Sequence, residues 1–483
     1  MVDSLSYASV VVENVTSKIE VRNRTLGEIM LRAVSYYADN YRFSKAFKEG
    51  RWDGKIKFGS YTFPYFRCYT GLLPDLLDIL KKNGIQPMFT DKRSLMAPSL
   101  DIELQFDLRP YQQDVVEACA KHKRGIIKSP TASGKSLIQA AVIQRFKVPT
   151  LVTIHNNDIL KQLGASYIDA LGLEGVGVYG AGMCEQGDVT LATLQTLNSI
   201  YTDDRKRFDM MVKPFGLLIS DELHHINQNA KAYSKVVEHI PAGYRFGFSA
   251  TPFRTDRKTA TDVTPVALFG DVIADISKQE LVEEGFITPV KVLWVQYKHP
   301  GIPTSYYGYL EKSETPQEAY RAAFTDCVMN CRERLEAIAE MYELFVTEGK
   351  QVLVMVRSVD YAYKLNGILN CPVVHGSTDK EERDEVYRLF KSGELRSLIA
   401  TDIYSEGVSF EGLDVVILAE PFKSKILTEQ RLGRLMRLYE GKKEGILVDF
   451  ADTTPFFDVQ ADTRLKVYQQ QGHQVMECML KNR

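Results

Sequence analysis

Neither sign of charge is in excess. The 60 basic and 62 acidic side chains leave a formal net charge of −2 over 483 residues. That excludes a uniformly basic binding protein, although a local basic groove fits on a neutral surface. Cysteine is scarce: there are seven, the closest pair is Cys327 and Cys331, and no C-x-x-C pair occurs. A disulfide scaffold or a ribbon-type zinc module is therefore excluded, and a reduced, cytoplasmic setting is expected. No uncharged apolar run approaches the roughly 20 residues that cross a bilayer, so no membrane partner is expected. The opening MVDSLSYASVVVENV lacks a basic segment followed by a long apolar one, which reads as no secretion signal. Low-complexity tracts and internal repeats are also missing.

What is present is ordinary enzyme composition, 45% hydrophobic and 25% charged. At roughly 150 residues per domain, the length suits about three domains. Residues 1–95 mix short strand-like runs with a helix over Thr25–Asp39, an aromatic and basic segment at 41–58 (YRFSKAFKEGRWDGKIKF), and an amphipathic helix over Leu72–Lys82. The polar stretch 91–101 reads as a linker. From 104 to 290 the runs RGIIKS, PTLVTI, DVTLAT, FGLLIS and RFGFSA alternate with helical segments. From 291 to 450 a second set follows: KVLWVQY, QVLVMV, CPVVHG, RSLIAT, DVVILA and EGILVDF. Alternation of this kind predicts two α/β domains, each a parallel sheet with crossover helices, behind a small α+β N-terminal domain. Residues 451–483 read as a helical tail.

The stretch SPTASGKS, residues 129–136, ends like a phosphate-binding loop, but Ser129 stands where G-x-x-x-x-G-K-[ST] has its first glycine. The apolar run before it and SLIQAAVIQRF after it put GKS at a strand-to-helix turn, where free N–H groups and the helix dipole favour an anion. Gly134 permits close backbone approach, Lys135 suits the β/γ-phosphates, and the Ser136 hydroxyl suits magnesium. Downstream, FGLLISDELHH ends an apolar strand with two adjacent carboxylates. Asp221 is the candidate magnesium holder and Glu222 the candidate base for an attacking water. Taken alone, DE at a strand end is a solvated terminus; with His224 and an upstream GKS the catalytic reading gains. Zinc at His224 and His225 would need further ligands at metal spacing, and none appears. Ser249 and Thr251, in SATP after RFGF, form a hydroxyl-bearing turn suited to hydrogen-bond the Asp221–Glu222 pair. In QRLGRLMR, residues 430–437, helical i, i+3 spacing puts Arg434 and Arg437 on one face. Arginines of this kind stabilise charge on a transferring phosphate, whereas an isolated R-x-x-R is usually a solvated basic face.

The ordered set PTASGKS, DELH, SATP and QRLGRLMR resembles the ATPase core of superfamily II helicases, over roughly residues 104–450. The resemblance implies two tandem RecA-like domains with ATP between them and magnesium as its metal. It implies nucleotide contacts at Arg109 and Gln112 in LRPYQ, and at Thr131, Ser133, Gly134, Lys135, Ser136 and Gly407. It gives catalytic roles to Lys135, Asp221, Glu222, Gln430, Arg434 and Arg437, and coupling roles to His224, Ser249 and Thr251. Nucleic-acid backbone contacts fall at His155, Asn156 and Gln162 in HNNDILKQ, at Thr193 and Gln195 in ATLQT, and at Arg357 and Thr401 in the second domain. In this family the first loop position is often not glycine, which accommodates Ser129. The sequence departs from the family at His155, where proline is usual, and at Ser409, where aspartate is usual.

The segment at 41–58, followed by GLL at 71–73, resembles the leading domain of phage UvsW-type helicases, which act in recombination and branch migration. That resemblance implies forked or four-way DNA as partner and the cytoplasm of an infected bacterium as the setting. Arg42, Lys45, Lys48, Arg51 and Lys55 are candidates for phosphate contact, with Lys57 in the same run, while Phe43 and Trp52 are expected in the core. An RNA helicase or a restriction-type double-stranded DNA translocase shares the same core motifs. A protein that binds ATP as a clamp without turnover is the remaining class; it would need neither Glu222 nor the arginines.

Overall fold

The computed structural model describes residues 6–227, 230–253, 259–297, 306–401, 410, 412–454 and 456–479. The chain divides into two packed units, Met1–Pro130 with Gly134–Ile276, and Thr131–Ser133 with Ser277–Arg483.

The leading part of the first unit carries β1 (Ser6–Val12), β2 (Thr16–Glu20), β3 (Ser35–Tyr37), β4 (Lys55–Lys57), β5 (Gly59–Thr62), β6 (Tyr65–Tyr69) and β7 (Ile85–Asp91). Five of these form a mixed sheet in the order β5-β6-β2-β1-β7, and β3 pairs with β4 apart from it. Strand alternation gives the sheet one apolar face, with Ala8, Val10, Ile19, Phe66 and Cys68 buried. Helices Arg24–Ala33 and Leu73–Lys82 turn Leu26, Met30, Leu76 and Leu80 into the same core. The helix predicted to reach Asp39 stops at Ala33, because Ser35–Tyr37 is extended to pair with Lys55–Lys57; tyrosines favour that conformation.

Behind it lies an eight-stranded sheet: β8 (Arg124–Lys128), β9 (Thr150–Ile154), β10 (Gly177–Gly180), β11 (Met183–Glu185), β12 (Val189–Thr193), β13 (Leu217–Ser220), β14 (Tyr244–Ser249) and β15 (Val272–Asp275). Its order is β11-β10-β12-β9-β13-β14-β8-β15, and every pairing is parallel except that of β10 with β11. β9, β12 and β13 are buried at every position, as a parallel strand covered on both faces requires.

The leading sheet and the parallel sheet share a core. Helix Ala260–Phe269 is buried at all ten positions, and Val263, Val266 and Phe269 join Val10, Phe66 and Leu76 in one apolar cluster. Thr261 Oγ1 donates to Asp39 at 2.8 Å. The helix's last carbonyls are taken up by two arginines, Arg124 half-buried and Arg245 fully buried: Arg124 Nη2 donates to Leu268 O at 3.0 Å, and Arg245 Nε to the same oxygen at 2.9 Å. Arg124 Nη1 also reaches Asn14 O in the leading part, at 3.2 Å. The stretch 91–101, read as a linker from its polarity, is strapped down instead. Ser94 N–H donates to Asn14, Tyr244 OH to Met96 O, and the amides of Ser99 and Leu100 to Lys147 O. Backbone hydrogen bonding, which composition does not reveal, fixes it.

The second unit is built on a seven-stranded, wholly parallel sheet: β16 (Val290–Tyr297), β17 (Val352–Met355), β18 (Val373–Val374), β19 (Ser397–Ala400), β20 (Val415–Leu418), β21 (Gly445–Asp452) and β22 (Gln474–Met479), in the order β18-β19-β17-β20-β21-β16-β22. The tail predicted as helical holds helix Asp458–Gln470 and then β22, which pairs with β16 along six residues. Its polarity is that of an edge strand with one wet face. Helix Lys278–Glu283, placed by the sequence with the first α/β domain, belongs to the second unit, where Lys278 Nζ donates to Gln471. Two buried ion pairs hold helices to β21. Arg334 grips Asp452 through two nitrogens at 2.7 and 2.9 Å, and Arg464 grips Asp449 at 2.8 and 2.8 Å. Each arginine also donates to a carbonyl, Ala419 O and Phe422 O respectively, so neither charge is buried with the carboxylate alone.

A Cβ on Gly71 would stand 1.9 Å from Val266 O, so this residue sets the contact between the leading part and the buried helix. Gly71→Val is expected to destabilise the first unit by about 1–3 kcal/mol through overpacking. A urea midpoint equal to that of the wild type would show that the shared core does not depend on this approach.

Candidate active site

The order β12-β9-β13-β14-β8 brings five loops to one carboxyl edge, where ligands of open α/β sheets bind. β8 leads into the loop 129–134, β13 into Asp221 and Glu222, β14 into Ser249–Thr251, β9 into His155 and Asn156, and β12 into Thr193–Gln195.

Ser129 is fully buried, and its N–H donates to Ser249 O at 3.1 Å, extending the β8–β14 ladder by one residue. It is not among the residues with positive φ, so its backbone does not need glycine. Glycine is needed five residues on. Gly134 has φ 74°, caps helix Lys135–Phe146, and a Cβ there would meet Gln112 Nε2 at 2.8 Å. Gln112 is itself buried; its Oε1 accepts from Arg109 N–H at 3.0 Å, which fixes the amide over the loop. Thr131 and Ser136 are half-buried and Ser133 is buried.

Lys135 joins the loop to the carboxylates. Its Nζ donates to Glu222 Oε1 at 2.7 Å and lies 3.8 Å from Asp221 Oδ1. Asp221 also accepts from Gln139 Nε2 at 3.0 Å, and Gln139 Oε1 accepts from the buried Tyr167 hydroxyl at 2.7 Å. Glu222 adopts φ 46°, a left-handed conformation that costs a non-glycine residue about 1–3 kcal/mol and marks functional sites. Burial pushes Asp221 above its ordinary range, with Lys135 opposing and Glu222 adding to the rise. Burial acts the same way on Glu222, but Lys135 and then His224 outweigh it and hold that carboxyl well below the usual carboxylate range. Two adjacent carboxylates are thus driven apart, with Glu222 held the more firmly in its ionised form while Lys135 stays beside it.

The hydroxyl turn reaches the carboxylates through an intermediary. Ser249 was expected to bond the Asp221–Glu222 pair directly; instead its Oγ lies 3.1 Å from His224 Nδ1, and that nitrogen lies 3.3 Å from Glu222 Oε2. Thr251 donates its backbone N–H to Ser249 Oγ at 3.2 Å. On the neighbouring strands Gln195 Nε2 donates to His155 O at 2.5 Å, while Thr193, buried, caps helix Leu194–Asp203. Asn156 is half-buried, and Gln162 is exposed on the helix after β9.

In the second unit Arg357 is exposed after β17, and its N–H donates to Glu420 at 2.7 Å; Thr401 is buried at the end of β19. Helix Lys425–Leu435 carries Arg431 and Arg434, both buried. The predicted i, i+3 face of Arg434 and Arg437 does not form, because the helix ends at Leu435 and Arg437 lies beyond its cap, where its carbonyl accepts from Thr288 Oγ1. Gly407, Ser409 and the Gln430 side chain lie outside the described residues. In the leading part Arg42, Lys45, Lys48 and Arg51 are exposed, and Lys55 lies 4.9 Å over the Tyr37 ring. Trp52 is half-buried, its indole donating to Lys55 O, but Phe43, expected in the core, is 77% exposed. Gln139 and Tyr167 escaped sequence reasoning. Their one signal is an amide at i+4 from Lys135 in an otherwise apolar helix stretch.

Residues 105–254 match the family model described as Type III restriction enzyme, res subunit, and residues 333–439 match the Helicase conserved C-terminal domain. The chain belongs to the superfamily II helicases. It is an ATP-driven enzyme of that family. The helicase is 28% identical over 378 residues to the DNA 3'-5' translocase XPB2 of Sulfurisphaera tokodaii, covering 72% of this chain and 82% of that protein. It is 24% identical over 462 residues to the ATP-dependent DNA helicase uvsW of Enterobacteria phage T4, covering 89% and 88%. Among solved structures it shares its fold with the DNA-bound Type ISP restriction-modification enzyme LlaBIII, at TM-score 0.58 and 16% identity, over 80% of this chain and 32% of that one.

Glu222→Gln removes the proton acceptor and keeps the shape. Single-turnover hydrolysis is expected to fall by about 10²–10⁴, with ATP binding retained. Turnover near that of the wild type would move the base elsewhere.

Proposed function

We propose that this helicase is an ATP-driven DNA translocase that remodels branched DNA, forks and four-way junctions, in the cytoplasm of an infected bacterium. The observation that carries the reading is the placement of an exposed basic and aromatic surface, Arg42 to Arg51 with Phe43, on a leading part that shares a core with the sheet bearing Lys135 and Glu222. A duplex arm held there moves with that sheet. Similarity over 89% of the chain to an ATP-dependent DNA helicase of a phage supports DNA as the substrate and the phage setting.

In the chemical step the loop 129–134 and Lys135 bind the ATP phosphates. Lys135 exchanges Glu222 for phosphate oxygens, which leaves Glu222, poised in its ionised form, to orient and deprotonate water. Magnesium, when bound, neutralises charge on the phosphates; the Ser136 hydroxyl and Asp221 carboxylate are hard oxygen donors of the kind it takes. Among the described residues no cluster of three or more His, Cys, Asp or Glu side chains could hold a metal. A magnesium that arrives with its nucleotide needs no such cage. Gln430, Arg434 and Arg437 supply positive and polar contacts to the transferring phosphate, and the nucleotide base is read by Gln112 with Arg109. Hydrolysis alternates the grip of His155, Asn156, Gln162, Thr193 and Gln195 in one unit with that of Arg357 and Thr401 in the other, so movement follows the DNA backbone and has little sequence preference.

A second reading, a restriction-type translocase on plain duplex, is favoured by the match of residues 105–254 to a restriction-enzyme model. Binding of a four-way junction and of plain duplex across a salt series separates the two. Replacing Arg42, Lys45, Lys48 and Arg51 together by glutamine is expected to flatten the junction salt slope by about 3 and to abolish the preference for junctions. An equal loss on both DNAs, or a single-stranded RNA that stimulates ATP turnover more than any DNA, would contradict the branched-DNA reading.

A further inference from the structure

Three imidazoles line up across the carboxyl edge of the first parallel sheet. The His155 and His225 rings are stacked, with centroids 3.9 Å apart and planes at 16°. His225 in turn lies against His224, at 4.3 Å and 36°. One end of the row meets the hydrolytic groups, since His224 Nδ1 stands 3.1 Å from Ser249 Oγ and 3.3 Å from Glu222 Oε2. The other end meets the loops after β9 and β12, where His155 O accepts from Gln195 Nε2. The row therefore spans strands β12, β9, β13 and β14 without leaving one packed unit.

His155 stands where the family has proline, a residue with no flat aromatic face to stack. His225 follows His224 in the 3-10 turn Leu223–His225. Together they form a contact that neither residue makes alone. Stacked rings at van der Waals distance resist being pushed into one another, so a displacement of His155 toward His225 carries to that ring and on to His224.

We propose that the His155–His225 stack is a positioning element that couples DNA contact to ATP hydrolysis: engagement of the backbone by the loops at 155–156 and 193–195 sets the place of His224, and through it of Glu222 and Ser249. This rests on the DNA-translocase reading above. His225 is a positioning residue, and what it controls is the ratio of DNA-stimulated to DNA-free turnover.

The test uses the full chain with His225→Ala and His225→Phe, measuring kcat for ATP with and without saturating DNA, together with DNA affinity and melting temperature. His225→Ala is expected to keep DNA-free turnover and DNA affinity within about twofold while lowering stimulation about tenfold; His225→Phe, which restores a flat ring, recovers most of it. Stimulation in His225→Ala equal to the wild type would overturn the proposal. So would an equal fall in DNA-free and stimulated turnover, which would make the ring a support of the catalytic site alone. If His225→Ala melts far below the wild type, the Phe variant decides by itself: a stably folded Phe variant without stimulation contradicts stacking as the coupling device. A wild-type chain stimulated by no nucleic acid would remove the translocase reading as well, which distinguishes the two failures.

Discussion

Lys135 is the charge on which the site depends. Asp221 and Glu222 stand side by side at the end of a buried strand, where two carboxylates would repel each other and lose water. The ammonium 2.7 Å from Glu222 and 3.8 Å from Asp221 is what allows both to stay in place. The surroundings then share the work unequally. His224 adds a second partner to Glu222, and Gln139, fixed by Tyr167, adds a neutral one to Asp221. The strained φ of Glu222 persists because this network over-determines it. A phosphate that draws Lys135 away changes the electrostatics of every member at once.

The same logic explains why the leading part is not a loosely tethered accessory. Helix Ala260–Phe269 has no wet face; it packs against β3 and the turn Thr70–Leu72 of the leading part and against β8 and β14 of the parallel sheet, and its terminal carbonyls are held by Arg124 and Arg245. Burial of the apolar residues of this helix, Val263, Val266, Leu268 and Phe269 among them, is a hydrophobic gain that neither layer provides alone. The surface carrying Arg42 and Lys48 is therefore tied to the sheet that carries the loop 129–134.

Much of this was legible in the sequence, and the reason is local. Runs such as PTLVTI, QVLVMV and DVVILA are short, apolar and rich in β-branched residues, as buried parallel strands are, and they are β9, β17 and β20. The turn chemistry of SGKS announces a strand and a helix start, and the structure has both, with Gly134 left-handed between them. What escaped depends on distant partners. Ser94 and Ser99 look like linker residues until their amides find Asn14 and Lys147. Gln474–Met479 looks like a polar tail until β16 offers it an edge. Phe43 looks like core by its chemistry alone, yet it stands in solvent on a short 3-10 turn. The role of His224 as the bridge between Ser249 and Glu222 needed coordinates, because spacing does not say which side chain stands between two others.

The most direct measurement is ATP hydrolysis by Lys135→Ala, read in single turnover beside its thermal unfolding. If Lys135 carries the phosphate and balances the two carboxylates, hydrolysis stimulated by DNA disappears while the protein still folds cooperatively. Turnover comparable to the wild type in a folded Lys135→Ala protein would contradict the placement of the chemistry at this sheet edge.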